Sequence, residues 1–295
     1  MGGTLGRQQM LFIWVSLLPT LSYFALFNIY PIASALNVSL RRWRFAEPHA
    51  RPFVGLENYA WALQDGVFWA SVRNSLLFLI GHVGFQLVVA LILAAILFPV
   101  RQPWRGALTA VYFLPVVTSA VAVSLIFRDL FAPATGPLNY LFGFVGLGPY
   151  NYLTTSTEAR VSVIAVTNWK NLGVWLVLYL AGLTTIPGEL MEAAAIDGAS
   201  KMQAFLRITI PLLRPTFVYL IVMGTIGTLQ DFTGIYTLTG GGPGTATRTL
   251  VLHIYQHAFN FFDMGRGSAV AFILFAALLV VSVLQLRVLR HEFEY

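Results

Sequence analysis

Lys170 and Asp231 fall inside long hydrophobic stretches, where an ionisable side chain normally faces a partner or a water-filled cavity rather than lipid. Counted as helix, Lys170 and its neighbour Asn171 stand about 21 Å from Thr184, and Asp231 about 24 Å from Pro215, so the three come to similar depth. Facing each other, Lys170 and Asp231 would form an ion pair or would hydrogen-bond the hydroxyls of a polar solute. Lys170 on its own would snorkel toward the outer surface. Trp175 offers either a stacking face or a plain helix-packing surface. His82 and Gln86, four apart, share a helix face and read as a helix-to-helix hydrogen bond. No set of residues has the spacing of a metal site, a nucleophile with its base, or paired catalytic carboxylates. The chain has no cysteine, which excludes disulfides, thiolate metal sites and cysteine nucleophiles.

The elements that must position these residues are membrane helices. The chain of 295 residues is 57% hydrophobic and only 10% charged, with a mean hydropathy of +0.73. So little polar surface cannot cover a soluble globule. Six stretches are long and apolar enough to cross roughly 30 Å of hydrocarbon: near 11–35, 72–97, 107–130, 161–184, 213–236 and 267–288. The expectation is an all-α integral membrane protein with one transmembrane domain over residues 1–295. The first stretch resembles a secretory signal, but its apolar run exceeds that of such signals, and it is read as a retained span. Pro115 inside the third is tolerable where a neighbouring helix satisfies the freed carbonyls. The net charge of +6 comes from arginines that anchor spans, and no nucleic-acid partner is implied. Basic residues divide almost evenly between the two sides; the shorter loops favour both termini in the cytoplasm. On the other side, Arg41, Arg42, Trp43 and Arg44 form an aromatic and basic interfacial cluster, suited to anchoring in lipid headgroups or to receiving a docking protein.

Residues 187–212, between the fourth and fifth stretches, interrupt this pattern. Pro187 suits the first turn of a helix, and Glu189 is favoured near its positive end. Ala193, Ala194 and Ala195 give it strong propensity and a nearly smooth side. Gly198 ends it in left-handed geometry. Ser200 and Gln203 have capping-box spacing for a second helix, in which Met202, Phe205, Leu206 and Thr209 are expected to share a face. Pro211 and Pro215 mark the start of the fifth stretch. The expected result is a helix-turn-helix on the cytoplasmic face, rigidly joined to two spanning helices.

This segment resembles the EAA motif of permease subunits in ATP-binding-cassette importers: Glu192-Ala193-Ala194, Gly198, Ile208 and Pro211 have the motif's spacing, with Ile210 where leucine is usual. Further blocks are similar to the carbohydrate-uptake, maltose-type branch: FVGLENY (Phe53 to Tyr59), YFLP (Tyr112 to Pro115), LAGLTTIP (Leu180 to Pro187), and the glycine-rich block from Thr239 to Gly265. That last block looks like the first of the branch's two permease types. The resemblance implies that the EAA helix is a coupling helix docking on a cytoplasmic ATPase. Glu192 would pair with a basic group there, Ala193 and Ala194 would allow close approach, and Gly198 would hold the turn. Asp197 would cap or orient it, and Ala199 and Pro211 complete the coupling set. It also implies that Gln230 and Asp231 lie at the sugar-contacting polar end of the fifth span, with Gly224 a small contact residue below them.

The implied function is half of a transmembrane pathway for a sugar or oligosaccharide. The implied partners are a second homologous permease, two ATPase subunits, an extracellular solute-binding protein and membrane lipid in a bacterial inner membrane. No phosphate-binding lysine loop accompanies the glycines of GGGPGTAT, so ATP and Mg are expected on the ATPase and no cofactor on this chain. The alternatives are a permease for glycerol phosphate or another polar solute, with Lys170 as the chief contact, and an ion-coupled carrier, for which no repeat of broken helices is visible.

Overall fold

In the computed structural model, which describes residues 6–45 and 51–289, the chain is helical, with no β-strand among the described residues. Four helices are long and apolar enough to cross a bilayer: α1 (Gln9–Ser39), Gly66–Leu97, Ser156–Thr184 and Met264–Val288. Two bent pairs bring the number to six if each pair counts as one span. The helices fall into two compact units, one comprising the chain up to Asp65 with Ile254–Ile273, the other Gly66–His253 with the chain from Leu274.

In the first unit, α1 is exposed along its described side chains up to Ile29, as expected of a helix that meets lipid. It ends at Ser39, whose hydroxyl lies 2.7 Å from Tyr59 Oη. Tyr59 belongs to α2 (Glu57–Gln64). Asn58 on the same helix donates to the carbonyls of Ser39 and Arg41, and a methyl built on Gly265 would strike the Arg41 carbonyl. The FVGLENY block and the end of the glycine-rich block, about two hundred residues apart in sequence, thus pack as one piece. Around it, Arg42 pairs with Glu57 at 2.6 Å, Arg44 with Asp263 at 3.4 Å, and Arg51 covers the Trp43 ring at 3.9 Å. The exposed Arg42–Glu57 pair adds little stability, whereas Asp263 is buried.

In the second unit, α3 (Gly66–Leu97), the bent pair α4 (Trp104–Val117) and α5 (Ala120–Leu130), a short α6 (Pro137–Gly143) and α7 (Ser156–Thr184) precede the residue 187–212 segment. Helix α7 is the hub, packing on α3 and α4. Gly173 lets the α4 backbone approach at Tyr112 and Phe113, where a methyl would collide; in a membrane, close approach of this kind replaces the hydrophobic driving force. The core runs through Ala90, Leu91, Leu176 and Tyr179. His82 and Gln86 behave as expected: His82 Nδ1 lies 2.9 Å from Asn168 Oδ1, Gln86 donates to the Asn168 carbonyl, and Asn168 donates to the Gly81 carbonyl.

Two of the expected spans are interrupted. The third, placed over 107–130, is two helices meeting at 91°. Pro115 has no N–H to continue the ladder, Thr118 is extended (ψ 148°), and Ser119 starts α5 afresh by accepting from Ala122 N. The fifth, placed over 213–236, breaks after Arg214–Leu229, which is about 24 Å by helical rise and too short to cross alone, and a separate helix starts at Thr233.

Candidate functional site

The 187–212 segment folds into α8 (Gly188–Ile196) and α9 (Lys201–Leu212), followed by α10 (Arg214–Leu229) at 61° to α9. Pro187 caps α8, and Gly198 has φ +78°, a conformation that glycine adopts without steric cost. The capping box forms as the spacing requires: Ser200 N donates to Gln203 Oε1 at 2.8 Å, and Gln203 N to Ser200 Oγ at 3.3 Å. Two details differ from the sequence reading. Ala194 is 7% exposed and faces the protein, so the outward surface is Glu192, Ala193, Ala195 and Ile196, with Asp197 and Gly198 exposed beyond it. A π-turn at Phe205–Thr209 breaks the expected shared face of α9, leaving Met202 and Leu206 outside while Ala204 and Thr209 are buried. Ala199 is partly buried past the turn, and Pro211 starts the last turn of α9.

Sequence reasoning missed Ile196. It is 87% exposed, more than any other large apolar side chain described, and ends a helix flanked by polar residues. The signal was in the sequence, as a lone β-branched residue between Ala195 and Asp197, but only the backbone shows that it points away from the body.

At the other end of α10, helix α11 (Thr233–Thr239) follows after Leu229. A cavity of about 510 Å³ opens where α10, α11, α7 and α5 meet, and Gly224, Asp231, Lys170, Asn171 and Trp175 all line it. Gln230 is exposed and does not. Residues that the sequence did not single out, among them Ser124, Tyr219 and Thr228, complete the wall. Ser124 arrives only because α5 turns through the bend after Thr118, which periodicity does not reveal.

The ion pair between Lys170 and Asp231 is not formed. The Lys170 ammonium donates to the carbonyls of Pro115 at 3.5 Å and Val116 at 3.3 Å, at the C-terminal end of α4; the Pro115 carbonyl also accepts from Thr118, the Val116 carbonyl from Lys170 alone among the described residues. The Asp231 carboxylate lies against Gly234, in the first turn of α11. Each charge therefore sits at a helix end of opposite partial charge. Asn171 Nδ2 bonds the Thr167 carbonyl at 2.9 Å. Trp175 is 5% exposed, lies edge-on to His82 at 6.1 Å, and fills the notch left by Gly224, where a methyl would sit 2.6 Å from its ring. Helix packing is thus the principal role of Trp175, with only its edge reaching the cavity.

A cavity at broken helices beside an exposed helical elbow is the arrangement of a transport subunit, and the comparisons agree. The family model described as "Binding-protein-dependent transport system inner membrane component" matches residues 72–291. The chain belongs to this family. Among curated relatives, the chain is 35% identical over 284 residues to the probable ABC transporter permease protein YurN of Bacillus subtilis strain 168, covering 95% of this chain and 97% of that one. It is 34% identical to the trehalose/maltose transport system permease protein MalF of Thermococcus litoralis, covering 93% and 92% respectively. Its fold matches a chain of a bacterial ABC transporter involved in the import of the acidic polysaccharide alginate, with a TM-score of 0.83 at 24% identity, covering 97% of this chain and 98% of that chain. The permease is accordingly a membrane component of a binding-protein-dependent transporter, not an enzyme.

Proposed function

We propose that the permease lines half of the transmembrane pathway for a neutral sugar or oligosaccharide delivered by an extracellular binding protein. It would pair with a second homologous permease, rest on two cytoplasmic ATPase subunits that hold ATP and Mg, and keep both termini in the cytoplasm. The observation that carries the reading is the cavity: it offers hydroxyl, amide and carboxylate groups, while its lysine is engaged by the α4 carbonyls. With Lys170 so held, an anionic solute finds no free cation there, which disfavours the glycerol phosphate alternative. Curated relatives named for trehalose and maltose, lactose and arabinooligosaccharides support the same class.

Mechanically, Ile196 and Glu192 present an apolar tip and a charge to the ATPase, and Gly198 fixes their direction. Closure of the ATPase dimer on ATP would push α8 and α9, and the rigid elbow into α10 would carry that displacement to Gly224 and Asp231. Alternating access follows when α10 tilts relative to α7, opening the cavity to one face or the other. The test is reconstitution of the complete transporter in vesicles with its binding protein, measuring uptake of neutral oligosaccharides against uronic-acid and phosphorylated analogues. Uptake of neutral sugars that falls on Asp231→Ala supports the reading; uptake confined to acidic solutes overturns it.

A further inference from the structure

A second cavity, of about 560 Å³, lies at the end of the second unit that carries the turn after Thr184. It shares no lining residue with the pathway cavity. Its walls are the end of α3, the first half of α4 and the last turns of α7. On α4, Thr109, Ala110 and Phe113 face it, and on α7, Val177, Leu180 and Ala181. From Arg105 to Phe113 the cleft runs about 12 Å along α4, and from Val177 to Thr184 about 10 Å along α7, so both walls end at the same level.

The mouth differs from the walls. Arg105 is partly buried, its guanidinium 5.7 Å from the Phe98 ring centre with Nη1 donating to the Phe98 carbonyl at 3.0 Å. Arg101, exposed in the turn just before α4, stands outside the cleft lining beside this mouth. Neither has an acidic neighbour in sequence: no Asp or Glu occurs between Asp65 and Asp129, nor between Glu158 and Glu189. Trp104, 70% exposed beside them, is the residue type that marks the boundary between hydrocarbon and headgroups.

We propose that this cleft binds an anionic phospholipid of the surrounding membrane, its phosphate at Arg101 and Arg105 and one acyl chain between α4 and α7 over Ala110, Phe113 and Ala181. An apolar slot crowned by basic groups has the chemistry of such a lipid, and with the orientation proposed above it opens on the cytoplasmic side. A helix of a partner subunit fits less well, because seating one would bury the Arg105 guanidinium without a counter-charge. The seat lies one turn of chain from the coupling segment, so the bound lipid would brace α7 against α4 just where α8 begins.

The experiment uses the complete purified transporter, delipidated in detergent and titrated separately with dioleoylphosphatidylglycerol and dioleoylphosphatidylcholine, with bound lipid counted by native mass spectrometry. Wild type should take phosphatidylglycerol about tenfold or more tightly than phosphatidylcholine, the scale that two basic groups at a membrane surface supply. Arg101→Gln with Arg105→Gln should erase that preference, Arg105→Lys should keep most of it, and Ala110→Phe should weaken binding of both lipids. Equal binding of the two lipids by wild type, or an unchanged preference in the double variant, overturns the proposal without touching the transport reading. So does an Ala110→Phe variant that binds lipid normally but loses its partner permease on purification, since the slot would then be a helix seat.

Discussion

The ammonium nitrogen of Lys170 lies 3.3 Å from the carbonyl oxygen of Val116, so a charge on α7 completes the broken end of α4. Without it, the Val116 carbonyl would face the cavity with no donor, while the Pro115 carbonyl would keep the Thr118 N–H and hydroxyl. This contact ties the sharpest bend in the chain to the helix that carries the cavity wall.

Lys170→Met should therefore act on the bend rather than on solute charge. Leaving the partly buried Val116 carbonyl unpaired costs about 1–3 kcal/mol. We expect a lower melting temperature of the purified complex and slower uptake, with Lys170→Arg restoring part of both. Uptake and melting at wild-type values in Lys170→Met would show that the bend holds itself.

Gly224 and Trp175 form a knob and its notch. A methyl at Gly224 would sit 2.6 Å from the Trp175 ring and 3.3 Å from Val83, and overpacking of this order costs about 1–3 kcal/mol. Gly224→Ala should destabilise the permease, and combining it with Trp175→Phe should recover stability. Thermal melting of the single and double variants checks the coupling.

Asn168 is buried and serves two partners at once, His82 Nδ1 at 2.9 Å and the Gly81 carbonyl at 3.1 Å. Asn168→Leu removes both, and we expect about 1–2 kcal/mol of destabilisation, in line with interhelical hydrogen bonds in membranes. Loss of expression at elevated temperature, with uptake per assembled complex near normal, is the anticipated phenotype.

The exposed elbow is tested by separating hydrolysis from transport. Ile196→Ser and Glu192→Gln change only exposed groups, so assembly in the membrane should persist while the response of uptake to ATP falls severalfold. Gly198→Ala forces a residue with a side chain to φ +78°, a strain of about 1 kcal/mol, and should fall between wild type and the two surface variants. Full coupling in all three would mean that α8 transmits nothing.

Much of this molecule is legible along the chain. The four uninterrupted crossing helices, the turn at Gly198 and the capping box at Ser200 follow from length, hydropathy and local backbone preferences, which act within a few residues of one another. The membership of Lys170, Asn171 and Asp231 in one cavity was also readable, because ionisable groups in apolar helices have few other places to go. The errors arose where distant residues compete. Pairing of Lys170 with Asp231 lost to helix-end carbonyls that exist only because α4 breaks at Thr118. The face of α9 split because a π-turn shifts register without a mark in composition, and Ala194 turned inward through the packing of α8 on the rest of the protein.

The amino-acid sequence by itself determined that this is a helical membrane protein with a polar elbow between its fourth and fifth apolar stretches, since those properties depend on hydropathy and on neighbours within one or two helical turns. Tertiary structure alone decided that two spans are broken, that Ser124 reaches the cavity, that Ile196 stands clear of the body, and that Lys170 and Asp231 each answer a helix end. Those outcomes depend on which backbone groups are left unpaired when helices far apart in the chain come together, and that is fixed only by packing.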